Sequence, residues 1–294
     1  MKFAFSCACE PTWDFNALAA TAKELGYAGV ELSASPKASF SILQADLAAL
    51  RQLFPGSPAI AAISTDISFA DSSRIDARSA EMLKQTIDAA SALACPLVKI
   101  LDRKVRGGHS LSEAAAAYAA WLLPLADYAA DRGVTILIEN ALAFRRAADL
   151  WLILESVNHP AVAAGWDVLS AALIGEPHAI SIPTLNTRIQ YVQVTDAIIA
   201  EGAASPCELG GGSLHIAQLM HRLKGIGYAG WVTFKWDRVS YPTLAAADAV
   251  LGPAIQKLRE WTTPPAPPKP KEKPVPGAKP KPATPTEPAS VAAK

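Results

Sequence analysis

The feature that most narrows what this chain can become is an alternation: eight short β-type runs, separated by amphipathic helical stretches. The runs are "KFAFS", "AGVEL", "PAIAAIS", "PLVKIL", "GVTILIE", "VAAGWD", "IQYVQV" and "GWVTF". Between and after them lie segments such as "DFNALAATAKEL", "LSEAAAAYAAWLLPLADYAADR" and "LHIAQLMHRLKGI", with apolar residues at three-and-four spacing. Strands that each lead into a helix build a parallel sheet, and eight such units predict a closed (β/α)8 barrel, a single domain over residues 1–261. A doubly wound open sheet shares the element order, but no Gly-x-Gly-x-x-Gly follows the first strand. Two Gly-Tyr-Ala-Gly stretches, in "ELGYAGV" and "GIGYAGW", predict a helix C-cap followed by a tight turn into the next strand.

Composition changes abruptly after Trp261. Residues 262–294 hold eleven of the 23 prolines, six lysines and two glutamates, which predicts a disordered, extended, cationic tail. That tail carries +4 in a chain of zero formal net charge, so the barrel carries −4. The zero net charge offers no global basic excess for a nucleic-acid backbone. "MKFAFSCACE" reaches Glu10 too soon for a secretory core segment and reads as a first strand. No run approaches the ~20 apolar residues of a membrane span, so the expectation is a soluble, cytoplasmic protein. Cys7, Cys9, Cys95 and Cys207 lack zinc-type spacing and suggest packing, with Cys7 and Cys9 alternating on the first strand.

In such barrels chemistry sits where the strands end at the C-terminal mouth. Side chains alternate along a strand, so the apolar Ile136 and Ile138 should face the helices and leave Thr135, Leu137 and Glu139 inward. The same alternation turns Asp167, Gln193 and Lys235 inward, and four consecutive strands then end at one spot. Two carboxylates in one concavity raise each other's pKa and require a cation, which Lys235 can supply. Glu31 and Lys99 form a second, deeper inward pair, read as mutual neutralisation. After the fourth strand, "DRKVRGGHS" gathers Arg103, Lys104, Arg106 and His109 in a loop able to clamp an anionic group. Trp13 could pack on a sugar ring, whereas Trp166 and Trp236 face the helix layer by alternation.

In order along the chain, "KFAFS", "AKELGYAGVEL", "DAASALACPLVKIL", "GVTILIEN", "AAGWDVLSA", "YVQVTDA" and "ELGGGSLHIAQLMHRLKGIGYAGWVTFKWD" resemble the xylose isomerase-like TIM barrels, over nearly everything before the tail. That family includes sugar-phosphate isomerases and epimerases. The resemblance implies a single divalent metal held by a glutamate, an aspartate, a histidine and a second glutamate. Glu139 matches the first glutamate and Asp167 the aspartate. Gln193 stands at the histidine, Lys235 at the second glutamate, and Ser170 at another common histidine, while Asp196 matches an aspartate that follows the missing histidine.

An ammonium has no lone pair for a metal, and two remaining ligands, vestigial Glu139 and Asp167, are too few for a tight site. No tightly bound cofactor is expected, which leaves room only for weak Mn, Mg, Co or Zn binding. Two functions follow. One is a metal-free sugar isomerase or epimerase with Lys235 stabilising developing charge and Glu139 as base, and Asp167, Gln193, Asp196, Arg106, His109 and Trp13 contacting substrate. The other is a non-catalytic carbohydrate- or partner-binding barrel in which Lys235, Glu139 and Asp167 form a structural cluster. Both take a small sugar or polyol as ligand and allow a homo-oligomer. A DNA-repair reading is disfavoured, because His109, His159, His178, His215 and His221 end no predicted strand.

Overall fold

The structure is a computed structural model and describes residues 1–68, 77–102, 110–141 and 143–263. Eight parallel strands close into a barrel: β1 (Lys2–Ser6), β2 (Gly29–Ser33), β3 (Ala59–Ser68), β4 (Leu97–Leu101), β5 (Thr135–Glu139), β6 (Val162–Asp167), β7 (Ile189–Val194) and, after a hairpin of β8 (Asp196–Ala200) and β9 (Ala203–Cys207), β10 (Trp231–Phe234). Chain order is kept around the ring, and β10 pairs with β1 to close it. The helices are α1 (Phe15–Leu25), α2 (Leu47–Leu53), α3 (Ala77–Ala92), α4 (Leu111–Ala130), α5 (Ala147–Val157), α6 (Val168–Ala172), α7 (His178–Leu185), α8 (Ile216–Gly225) and α9 (Ala247–Thr262). Among the described residues no helix is long and apolar enough to cross a membrane.

Local chemistry explains the helix ends. Asp14 accepts the Ala17 N–H to cap α1, and Ser110 with Glu113 forms a reciprocal capping box on α4. In the two Gly-Tyr-Ala-Gly turns, Gly26 and Gly227 take φ of 74° and 72°, the left-handed region that stops a helix. Each tyrosine then donates to a main-chain carbonyl, Tyr27 to Leu251 in α9 and Tyr228 to Trp231 nearby, both at 2.7 Å.

The barrel interior below the mouth is filled by Ala4, Ala61, Ala62, Leu97, Leu137, Ala163, Tyr191 and Trp231, small residues making room for two large rings. Gly29 belongs to this fit: a Cβ there would lie 2.8 Å from both the Ala59 carbonyl and the Trp231 ring. Gly29→Ala should therefore overpack the barrel floor and lower stability by roughly 1–3 kcal/mol, read from urea unfolding. The larger core lies between the strands and the helices and contains Trp166 and Trp236, as strand alternation predicts.

Two local expectations differ. Cys7 and Cys9 lie in a 3-10 turn after β1 rather than on the strand, because Ser6 caps that turn by accepting the Ala8 N–H. His215 precedes α8 with φ of 52° instead of lying within it. Arg103, Lys104, Arg106 and His109, and the tail 264–294, lie outside the described residues.

Candidate functional site

At the C-terminal mouth the strands bring together five charged side chains that alternate in sign. Lys235 Nζ lies 3.0 Å from Asp167 Oδ2 and 3.5 Å from Glu139 Oε1. Lys99 Nζ lies 2.7 Å from Glu139 Oε2 and 3.3 Å from Glu31 Oε2. The sequence Asp167, Lys235, Glu139, Lys99, Glu31 is thus one ladder running from the mouth into the barrel. Its inner end is finished by neutral donors: Ser6 Oγ at 2.9 Å, Tyr191 OH at 2.7 Å and Gln193 Nε2 at 3.1 Å from the Glu31 oxygens.

The deeper Glu31 and Lys99 pair is therefore not separate from the mouth, as it looked from strand alternation alone. Lys99 stands beside Leu137 in the β4–β5 register, one layer below Glu139, which pairs with Leu101. A lysine stem is long enough to climb that layer, and its ammonium sits closer to Glu139 than to Glu31.

Backbone contacts aim the outer rungs. Lys235 donates its N–H to the Val194 carbonyl at 2.9 Å, and its own carbonyl accepts from Thr195 Oγ1 at 2.7 Å. Asp167 caps α6, with Oδ1 accepting the N–H groups of Leu169 and Ser170, so only Oδ2 is left for the ammonium. Asn140 grips the Asp167 backbone from both sides, accepting its N–H at 2.6 Å and donating to its carbonyl at 3.0 Å. Asp102 accepts from the N–H groups of Ala141, Ala143 and Phe144 and holds the chain that leaves β5. Above the closing seam, Arg238 and Glu10 form an ion pair that ties the segment after β10 to the one after β1.

The electrostatic result is asymmetric. Burial pushes the Glu139 carboxyl up, but the ammoniums of Lys235 and Lys99 override it and hold the group at about 2. Burial would lower both lysines, and their carboxylate partners reverse this, leaving Lys99 raised and Lys235 well above its ordinary value. A carboxyl depressed on folding stabilises the fold fully above its ordinary pKa of 4.5 and loses that contribution as pH falls through about 2. Glu139→Gln should flatten the acid limb of the stability profile between those two values, in urea unfolding stepped across pH.

Of the residues predicted from sequence, Glu139, Asp167 and Lys235 meet directly, and Gln193 joins through Glu31. Asp196 does not join them. It is 1 % exposed, and its two oxygens accept the N–H groups of Ala197, Gly210, Gly212 and Leu214, so it fastens the segment after β9 instead of facing a ligand. Trp13 is half-buried against the helix-layer core, and its main-chain N–H donates to the Glu10 carbonyl. Arg106 and His109 lie outside the described residues. Asn140 and Tyr191 were not singled out as site residues. Tyr191 carried a signal, an inward phenol on the strand of Gln193, whereas the grip of Asn140 depends on where two chain segments cross. Among the described residues there is no cluster of three or more histidine, cysteine or acidic side chains placed to hold a metal.

Known proteins fit this description of the fold. No curated protein matches the chain. Among solved structures, D-allulose 3-epimerase from Methylomonas sp., in complex with D-allulose, aligns at a TM-score of 0.70 and 22 % identity, covering 88 % of this chain and 96 % of that one. D-psicose 3-epimerase with D-tagatose, from Clostridium cellulolyticum H10, aligns at 0.71 and 14 % identity, covering 89 % and 99 %. The IOLI protein with a bound zinc atom aligns at 0.71 and 18 % identity, covering 89 % and 98 %. A family model described as xylose isomerase-like TIM barrel matches residues 19–261. With the closed eight-stranded barrel, that match over most of the chain places the protein in the xylose isomerase-like TIM barrel family.

Proposed function

We propose that this chain is a sugar- or polyol-binding barrel of the isomerase and epimerase type, in which the tethered Lys235 ammonium takes the place of a divalent cation. The observation that carries the reading is the position of Lys235 Nζ between Asp167 and Glu139, 3.0 and 3.5 Å from their oxygens. The donor set does not suit a metal. An ammonium offers no lone pair, the Gln193 amide nitrogen is turned to Glu31, and both mouth carboxylates are already paired with lysines.

An ammonium has three N–H donors, and Asp167 and Glu139 take two. The Lys235 side chain is 26 % exposed, so the third can donate to a ligand hydroxyl or carbonyl oxygen. In this reading Glu139 and Asp167 orient Lys235. A carboxylate held at about 2 is far from the near-neutral pKa that suits a general base. Gln193 completes the inner wall.

A second reading keeps catalysis, with Lys235 stabilising a developing oxyanion and Glu139 accepting the proton. What favours it is the partly exposed Lys235 ammonium, whose remaining donor is free for a substrate oxygen. Calorimetric titration with neutral ketoses, aldoses and polyols, on protein of known elemental metal content, tests the shared reading. Binding without stoichiometric metal is expected, weakened at least tenfold in Lys235→Met. Tightly held stoichiometric metal, or binding indifferent to that change, would sink it. Exchange of a ligand C–H proton in deuterated water then separates the two, because exchange requires a working base.

A further inference from the structure

We propose that Glu139 is closed to a divalent ion from two sides, and that Lys99 keeps it closed even when Lys235 is removed. The inference rests on the reading that Lys235 stands in a cation position, and it concerns the opposite oxygen of the same carboxylate. Lys235 approaches Oε1 at 3.5 Å from just beyond β10, whereas Lys99 approaches Oε2 at 2.7 Å from β4. Lys99 is the nearer of the two and the more deeply buried, with a side chain 5 % exposed against 26 % for Lys235. Buried charge is screened least, so its repulsion of an incoming cation is the stronger.

The consequence concerns what must change to admit a metal. Gln193→His with Lys235→Glu supplies an imidazole and a carboxylate and removes the outer ammonium. The same double change leaves a positive charge 2.7 Å from the carboxylate on which any metal at this mouth would depend. Adding Lys99→Met removes that charge while keeping an unbranched stem of similar length. Glu31 would still accept from Ser6 and Tyr191, so the inner end of the ladder is not stripped of donors.

The experiment compares the full chain as Gln193→His/Lys235→Glu and as Lys99→Met/Gln193→His/Lys235→Glu. Cobalt(II) is titrated in and followed by its visible absorption bands and by calorimetry. The triple variant should bind cobalt at least a hundredfold more tightly than the double. A double variant that binds as tightly as the triple, or a triple that gains nothing, would overturn the proposal. Because the triple can be less stable without metal, the comparison is repeated as the cobalt-induced shift in melting temperature, expected large for the triple and small for the double. Lys99→Arg combined with Gln193→His/Lys235→Glu should return the weak behaviour. Sugar binding by the unmodified chain is a separate readout, so failure of the parent reading and failure of this one are distinguishable.

Discussion

Lys99→Met should be among the most damaging single substitutions in the barrel, lowering stability by about 3–5 kcal/mol, because it strips a cation from two buried carboxylates at once. Glu31 and Glu139 are 2 % and 4 % exposed, so water cannot take over the role of the ammonium. Lys235→Met should cost less, since its side chain is partly exposed and Glu139 retains Lys99. The ordering is the informative part: a ladder held mainly from within is weakened more by its inner lysine than by its outer one. Urea unfolding of both variants checks it. A double-mutant cycle between Lys99→Met and Glu139→Gln should show coupling above 0.5 kcal/mol, as expected for groups in direct contact.

Asp196→Ala should be comparably severe, by a different mechanism. It leaves four backbone N–H groups, those of Ala197, Gly210, Gly212 and Leu214, without their acceptor. A stranded buried donor costs about 1–3 kcal/mol, and water reaches some of these, so a total of roughly 2–4 kcal/mol is expected. The loss should be local. Hydrogen exchange should accelerate across 208–214 and the β8–β9 hairpin while the barrel strands stay protected. Gly212→Ala should mimic it, since a Cβ there collides with the Asp196 carboxylate and lies 2.6 Å from Ala197 backbone atoms. Unchanged exchange in either variant would mean that Asp196 does not hold this segment.

The barrel was legible because strand alternation is a short-range rule. Each of the eight runs is observed, and Leu137, Ala163 and Tyr191 face the interior as the period of two requires. The hairpin of β8 and β9 was missed because Ala, Ser and Pro206 mute its β-signal. Its turn nonetheless carried a mark, Glu201 and Gly202, which adopt φ of 51° and 77° as a two-residue hairpin needs. Helix α7 was hidden by Pro183 in its interior. At the site, the inward direction of Glu139, Asp167, Gln193 and Lys235 followed from local pattern, but the partner of each did not. Pairing depends on side-chain length and on stagger between strands, which is why Lys99 serves Glu139 as well as its expected partner Glu31, and Gln193 turns to Glu31. Asp196 shows the converse, a residue whose motif match suggested a ligand contact and whose surroundings, three glycines in a tight segment, assign it to the main chain.

Lys235 belongs to the chain by covalent bonds, so the positive charge that lies between Asp167 and Glu139 is part of the polypeptide itself. A dissociable ion has an occupancy set by its free concentration, exchanges with competitors and is lost to chelators. The ammonium is present once per chain from the moment of synthesis, needs no loading step, and keeps its charge through dialysis against a chelator or growth in metal-poor medium. Charge at this position is inherited with the gene product and does not vary with the metal supply of the cell.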